Sequence, residues 1–345
     1  MILPSTYLGA LYLMILSMLC WGSWANAFKL TRNWRFELFY FDYSLGVVAG
    51  ALLAALTFGN LGFDGFSFLD DLRHAGLRQD AWAIAAGVVF NLANMLLVAA
   101  ISIAGMAVAF PVGIGLALVI GVVWNYAINP TGNKQLLFGG MAVIVAAIIV
   151  DALAYRSYAL QRARHAAREG KARQVRKSMS TKGLVLSLVA GVLMGSFFPL
   201  LQNAMVGESG LGPYAVAVIF SIGVFFSTFV FNLVFMNLPV EGPPIEIGEY
   251  FRGTLKSHAL GIIGGIIWSA GLISNLVAAS AEGSAKVGPA VSYGIGQGAT
   301  MVSALWGLLV WREFARADSK VRKLIAGMLI LFVGGLAMVS IAPLH

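Results

Sequence analysis

The stretch Trp21-Gly22-Ser23-Trp24 lies in a long apolar run and returns in altered form, 173 residues later, as Met194-Gly195-Ser196-Phe197. Other short stretches match in the same order, among them Ser44–Val47 with Ser221–Val224. Their offsets drift only from 173 to 181 along the two halves of the chain. The common order and the narrow range of offsets indicate an internal repeat that covers most of the sequence.

The runs around these stretches are long and poor in charge. Hydrophobic residues make up 59% of the 345 residues and charged residues 11%, whereas a soluble domain carries roughly a quarter charged residues. A membrane-spanning helix needs about 20 mostly apolar residues. The sequence predicts ten such spans, near Tyr7–Phe28, Phe36–Phe58, Ala81–Ile103, Met106–Ile128, Gln135–Tyr155, Gly183–Val206, Pro213–Leu238, Leu260–Ala281, Ser284–Trp311 and Leu324–Ala342. This pattern excludes a water-soluble enzyme and a disordered chain, and the single Cys20 excludes a disulfide scaffold.

The repeat unit holds five spans. Because five is odd, the second copy must lie upside down in the membrane relative to the first, as in the inverted repeats of secondary transporters. We therefore predict an all-α integral membrane protein with ten transmembrane helices in a 5+5 inverted-topology repeat. The predicted divisions are a first repeat over 1–156, a basic cytoplasmic linker over 157–182 and a second repeat over 183–345.

The basic residues predict the orientation. Of the 23 Lys and Arg residues, 19 lie in the odd-numbered loops. By the positive-inside rule these loops are cytoplasmic, so we expect a cell (inner) membrane protein with both termini outside. Nine of the basic residues fall between Arg156 and Lys182, where they either fix the topology or lie on anionic lipid. The net charge of +8 is thus accounted for without nucleic-acid binding.

Three stretches carry a family resemblance. With the 5+5 plan, Cys20–Ser23, the Lys182–Leu186 start of helix six and the Gly264–Trp268 run resemble the drug/metabolite transporter superfamily. Within it the chain is most similar to the rhamnose–proton symporter and glucose/ribose porter branch, with the plant ureide permeases as a looser relative. The resemblance implies uptake of a small polar metabolite by alternating access, driven by protons. We expect a sugar; nucleobase or ureide uptake and efflux of drugs or metabolites stay open as alternatives.

Polar and aromatic side chains in the central turns of the spans are the predicted substrate site. Polar groups inside spans usually face the protein interior or a water-filled path. An amide donates and accepts hydrogen bonds, as a sugar hydroxyl or a cyclic amide does, and an indole face offers a platform for a ring. The predicted lining residues are Trp21, Asn26, Asn91, Asn94, Gln202, Trp268, Asn275, Tyr293 and Gln297. The competing interpretation is that each amide only joins neighbouring helices.

Four charged residues are candidates for proton coupling. Asp42 comes first, because it lies six residues inside helix two, and Glu37 precedes it in the same helix. Glu282 and Lys286 flank the hairpin between helices eight and nine, where the first repeat has uncharged residues. The competing interpretations are an interfacial carboxylate at helix two and a plain salt bridge in the hairpin.

An intramembrane enzyme is the main rival class. Asp42 and Asp151 could form an aspartyl pair, but no Gly-x-Gly-Asp surrounds Asp151. All four histidines fall in loops or at span ends, so a nucleophilic serine would lack a base. We therefore predict a transporter with no enzymatic activity, no cofactor and no metal site. Its expected partners are a small neutral polar solute, protons and the lipid bilayer, and a homodimer is left open.

Overall fold

The computed structural model describes residues 1–31, 34–62, 64–104, 106–168, 181–239 and 243–345. Within these ranges the regular structure is helical throughout. The α-helices are α1 (Tyr7–Ser23), α2 (Ala25–Leu30), α3 (Phe36–Leu56), α4 (Phe68–His74), α5 (Leu77–Ala104), α6 (Met106–Ile128), α7 (Lys134–Arg168), α8 (Thr181–Met205), α9 (Pro213–Asn237), α10 (Gly248–Phe251), α11 (Leu255–Ala279), α12 (Pro289–Gly296), α13 (Ala299–Leu305) and α14 (Ser319–Ile341).

Eight helical segments of the described chain are long and apolar enough to cross a membrane. They are Tyr7–Leu30, Phe36–Leu56, Leu77–Ile101, Lys134–His165, Thr181–Met205, Pro213–Asn237, Leu255–Ala279 and Ser319–Leu344. Each overlaps a predicted span. The prediction of an all-helical, multi-pass membrane protein is therefore confirmed.

Of the two remaining predicted spans, one is a continuous helix and the other is broken. The fourth forms the single helix α6, whose bounds Met106–Ile128 match the prediction. The ninth is broken into α12, α13 and a π-helical turn over Trp306–Val310. Glycines at 294, 296 and 298 lie at the first break, where they weaken a continuous helix. The count of ten spans therefore stays a prediction.

The fifth helix is longer than its predicted span. α7 has 35 residues and continues past Tyr155 to Arg168, so it enters the predicted linker. There the Gln161 side chain donates to the Arg316 carbonyl at 2.8 Å and accepts from the Asp318 backbone N–H at 3.0 Å. Residues 169–180 of the linker lie outside the described residues. The first part of the predicted linker is thus a helix held against the loop before α14.

Helix pairs from opposite halves build the core. α1 packs on α11 and α5 on α8, while α3 packs on both α9 and α11 and α5 on α9. Glycines allow these helices to approach closely: a Cβ at Gly46 would lie 2.2 Å from the Ile262 carbonyl oxygen, and one at Gly87 would lie 2.2 Å from that of Phe220. α7 and α14 pack on each other. The helices that carry most of the predicted site residues therefore meet in the interior.

Candidate functional site

A stack of aromatic rings joins four helices at the centre of the protein. Trp21 on α1 and Trp268 on α11 stack with ring centroids 6.1 Å apart and planes 20° apart. Trp268 also packs on Phe90 of α5 at 4.3 Å and on Phe220 of α9 at 5.9 Å. Two of the predicted lining residues therefore lie side by side, and the rings around them come from both halves of the chain.

Two buried hydrogen-bond donors, one on α1 and one on α3, have no acceptor. The Trp21 indole N–H and the Tyr43 hydroxyl are buried, and neither has a hydrogen-bond partner among the residues that the structure describes. The Tyr43 ring lies 4.8 Å from that of Trp24 and 4.9 Å from that of Tyr40. A buried polar group left unpaired costs about 1–3 kcal/mol. Both donors are thus unused in this structure, and Tyr43 is not among the residues predicted from the sequence to line the site.

The break in the ninth span brings backbone up to the stack. A Cβ at Gly296 would lie 2.7 Å from the Trp21 ring and 2.8 Å from the Asn275 amide nitrogen, so only glycine fits there. The next residue, Gln297, is 8% exposed, and its amide makes no hydrogen bond to the described part of the chain. Gln297 is therefore a buried amide that follows the glycine in contact with Trp21, and it keeps its full bonding capacity.

Asn275 is fully bonded. Its amide nitrogen donates to the Ser17 hydroxyl at 3.2 Å and to the Ser292 carbonyl at 2.9 Å. The Ser292 hydroxyl donates to the Asn275 side-chain oxygen at 3.0 Å. Asn275 therefore fixes α12 to α11 and α1, which is the helix-joining role.

The two predicted asparagines of α5 bond to different helices. Asn91 donates to Ser227 at 2.8 Å and to Thr228 at 3.1 Å, both on α9. Asn94 donates to the Tyr40 hydroxyl of α3 at 3.0 Å. The Asn91 side-chain oxygen is buried without a partner in the described chain. Asn91 thus joins α5 to α9, while Asn94 is tied to the tyrosines next to Trp24.

Gln202 and Tyr293 lie apart from the tryptophan stack. The Gln202 amide contacts only the Met205 sulfur, at 3.8 Å, within the described chain. The Tyr293 hydroxyl donates to the carbonyls of Ala117 at 3.4 Å and Met194 at 3.3 Å, and its ring packs on Phe198 at 5.3 Å. Tyr293 therefore joins α12 to α6 and α8.

Asn26 is bonded at the end of the first span. Its side-chain oxygen accepts from the Trp311 indole at 2.6 Å, and its nitrogen donates to the Ser23 carbonyl at 2.9 Å. One turn earlier, the Ser23 hydroxyl accepts from the Trp306 indole at 2.8 Å. The Asn26 side-chain oxygen is thus already bonded to the Trp311 indole, and Asn26 lies away from the Trp21–Trp268 pair.

A charged contact extends this junction. Lys29 forms an ion pair with Glu313, and its ammonium lies 4.5 Å from the centre of the Trp311 ring. The Tyr155 hydroxyl donates to Glu313 at 3.5 Å. We call the contacts of Ser23, Asn26 and Lys29 with Trp306, Trp311 and Glu313 the α2 latch. It fastens the end of the first span to the segment after α13.

Asp42 sits in a polar cluster between the two halves. It is 3% exposed, and its two oxygens accept from the Tyr250 hydroxyl at 2.6 Å and meet the His258 Nδ1 at 2.8 Å. The Trp34 ring packs edge-on against His258 at 4.9 Å. Burial, and then the hydrogen bond to Asp42, raise the pKa of Tyr250 above its usual value. A Cβ at Gly261 would lie 2.4 Å from that of Asp42, so glycine admits the carboxylate.

The remaining charged candidates are placed differently. Glu37 is held by both ends of the Arg35 guanidinium, at 2.5 and 3.0 Å. Glu282 and Lys286 are exposed, and neither forms an ion pair with the described residues. The hairpin salt bridge considered from the sequence is therefore not formed in this structure. Of the four candidates, Asp42 alone is a buried carboxylate with a titratable partner.

Three comparisons relate the chain to known proteins. A family model described as Ureide permease matches residues 39–182 and 166–342. Ureide permease 1 and Ureide permease 2 of Arabidopsis thaliana are each 24% identical, covering 98% of this chain and 97% and 98% of their own lengths. Probable ureide permease A3 of Vigna unguiculata is 32% identical over 43% of this chain and 41% of its own. A solved structure described as "Crystal structure of protein" aligns with a TM-score of 0.55 and 18% identity over 95% of both chains, which indicates a shared fold.

Proposed function

Because the chain belongs to the ureide permease family, we propose that it is a proton-coupled membrane transporter for small, uncharged cyclic amides of the ureide or nucleobase kind. The names of its relatives support this alternative over the sugar expected from the sequence. Permeases are transporters, and no enzymatic step is part of the proposal. Membership of the drug/metabolite transporter superfamily, drawn from the sequence resemblance, belongs to the same proposal.

Ten spans in a 5+5 inverted repeat are the proposed architecture. Helix pairing supports it. In the repeat, α1 corresponds to α8, α3 to α9 and α5 to α11. The α1–α11 pair therefore has its counterpart in the α8–α5 pair, and the α3–α11 pair has its counterpart in the α9–α5 pair. The close glycine contacts follow the same rule, since Gly46 and Gly265 join α3 to α11, and Gly223 and Gly87 join α9 to α5. The repeats over 1–156 and 183–345, with both termini outside, complete this arrangement.

The Trp21–Trp268 pair with its unpaired indole N–H is the observation that carries the proposal, and Tyr43 on α3 supplies a second unpaired donor. A cyclic amide has a flat ring that stacks on an indole, and carbonyl oxygens that accept from the Trp21 N–H and the Tyr43 hydroxyl. Gln297 offers both a donor and an acceptor for the amide groups of such a ring. Trp21, Tyr43, Trp268 and Gln297 are therefore the proposed substrate contacts, and Asn94 lies beside them through Tyr40.

The other predicted lining residues have structural roles in this proposal. Asn91, Asn275 and Tyr293 join helices around the site. Asn26 belongs to the α2 latch, which closes the path between the substrate site and the cytoplasm. Alternating access then requires the latch to open. Gln202, whose amide contacts only the Met205 sulfur within the described chain, has no place in the stack.

Asp42 is the proposed proton carrier, with His258 and Tyr250 as its partners. A carboxylate and an imidazole in contact can share and pass on one proton. The side chain of His258 is 23% exposed, so it connects the buried carboxylate to water. Because Asp42 lies on α3 and His258 on α11, a change of protonation acts on the contact between the halves. Glu37, Glu282 and Lys286 carry no coupling role in the proposal.

Transport by purified protein in proteoliposomes tests this function. The probes are hydantoin, a simple cyclic ureide, and rhamnose, both radiolabelled. We expect hydantoin to accumulate inside alkaline vesicles placed in acidic medium, and to equilibrate without accumulation when the proton gradient is collapsed. Rhamnose accumulation without hydantoin uptake would overturn the substrate class, and accumulation that survives collapse of the gradient would overturn proton coupling.

A further inference from the structure

A groove lies between α7 and α14, away from the proposed substrate site. Its volume is about 540 Å³, and it is lined by Val150, Ser319, Lys320, Lys323, Leu324 and Gly327. The groove starts at the first residue of α14 and follows that helix for eight residues, about 12 Å at 1.5 Å per residue. The groove is long and open on one side, so an elongated molecule could enter it from the surroundings of the helix pair.

One end of the groove is positively charged. Lys320 and Lys323 are exposed, and neither forms an ion pair with the described residues. Of the acidic groups closest in sequence, Glu313 pairs with Lys29, and Asp318 caps α14 by accepting from the Val321 N–H at 2.9 Å. The Asp318 carboxylate offsets the positive potential of the α14 N-terminus, so the two lysines carry the positive charge of this end, and Ser319 adds a hydroxyl. This end suits a phosphate group.

The other end is apolar and open. Val150 and Leu324 provide its walls, and a Cβ at Gly327 would meet nothing within 4 Å. Exposed apolar side chains continue beyond it on both helices, with Ile149 at 52% and Ile330 at 72% exposure. In a membrane such side chains contact lipid chains. The apolar end of the groove is thus continuous with the lipid-facing surface.

Charge at one end and an open apolar slot at the other match an amphiphile with an anionic head. We propose that the groove between α7 and α14 binds one phospholipid with an anionic headgroup, its phosphate at Lys320 and Lys323 and an acyl chain beside Gly327. Arg316 and Arg322 strengthen the positive field around the head. A soluble phosphate would use only the charged end. The lipid would brace the helix pair that Gln161 fastens to the loop before α14.

Native mass spectrometry of the detergent-purified protein tests the site. The probes are phosphatidylglycerol and phosphatidylcholine with identical acyl chains, and glycerol phosphate as a soluble headgroup. We expect one phosphatidylglycerol to be retained about tenfold more tightly than phosphatidylcholine, because each lysine attracts the anionic head. Glycerol phosphate should not bind. Equal retention of the two lipids, or binding of glycerol phosphate as tight as that of the lipid, would overturn the proposal.

Matched variants locate the bound lipid. The double variant Lys320→Gln/Lys323→Gln should lose the preference for phosphatidylglycerol, whereas Lys134→Gln, at the other end of α7, should keep it. Gly327→Phe should fill the apolar end and reduce retention of the lipid. Its control is Leu53→Phe, because Leu53 is an exposed apolar residue of α3 and does not line the groove. Unchanged lipid preference in the double lysine variant would overturn the site, even if the phenylalanine variant failed to fold.

Discussion

Asp42 and His258 are 216 positions apart in the chain, yet the carboxylate Oδ2 and the imidazole Nδ1 lie 2.8 Å apart. The contact joins α3 of the first half to α11 of the second. The Tyr250 hydroxyl holds the second carboxylate oxygen, so both oxygens are engaged. A proton placed on this cluster changes the charge at a boundary that must rearrange if the halves move relative to each other.

Replacement of the carboxylate should separate coupling from binding. Asp42→Asn removes the proton-carrying group but keeps a side chain that can accept from Tyr250. We expect loss of hydantoin accumulation against a gradient and near-normal counterflow, measured in proteoliposomes. Glu37→Gln is the control, because Arg35 already neutralises Glu37, and it should still accumulate substrate. An Asp42→Asn variant that concentrates hydantoin as well as wild type does would reject the coupling role.

Removal of the unpaired hydroxyl tests Tyr43. Tyr43→Phe takes away a buried donor that lacks a partner in the described chain, so the free energy of unfolding should stay the same or rise. Affinity for hydantoin should fall about tenfold, which corresponds to about 1.4 kcal/mol for one lost hydrogen bond. The measurements are thermal unfolding and equilibrium binding. Tyr293→Phe is the matched control, and it should leave affinity unchanged; equal affinity in both variants would remove Tyr43 from the site.

The two amides at the broken span should behave in opposite ways. Asn275→Ala leaves Ser17 and Ser292 without their bonds, so it should lower stability by about 1–3 kcal/mol. Gln297→Ala breaks no bond in the described chain, so stability should hold while affinity for hydantoin falls. Denaturation and binding measured on the same samples give both readouts. The reverse pattern would exchange the assigned roles of these residues.

The latch should control access to the single cysteine. Cys20 is partly buried next to Trp21, and no other cysteine competes for a label. Trp311→Phe removes the bond to Asn26, worth about 1 kcal/mol, so a membrane-impermeant maleimide added to inside-out vesicles should label Cys20 about fivefold faster. The exposed Trp124 on α6 provides the control Trp124→Phe. Identical labelling rates in wild type and Trp311→Phe would show that the latch does not limit access.

The apolar runs predict the helices because burial in lipid depends on local composition. The same runs cannot predict the break at Gly296 to Gly298, since it depends on Trp21 and Asn275 packing against that backbone. Contacts between distant residues also determine which amides are already hydrogen-bonded. The Asn26 side-chain oxygen accepts from the Trp311 indole, 285 residues away in the sequence. The sequence places His258 at a span end of the second half and its partner Asp42 in the first half. Their separation in the sequence therefore gives no sign that they are in contact. Tyr43 appeared as one aromatic among many, because its missing partner is visible only in three dimensions.

A thermal-shift measurement on the purified wild-type protein addresses the substrate class most directly. A ligand that binds only the folded state raises the melting temperature with its concentration. The proposal predicts a saturable rise with hydantoin and with a pyrimidine nucleobase, a smaller rise in Tyr43→Phe at the same concentration, and none with rhamnose. A saturable rise with rhamnose, with no response to either cyclic amide, would contradict it.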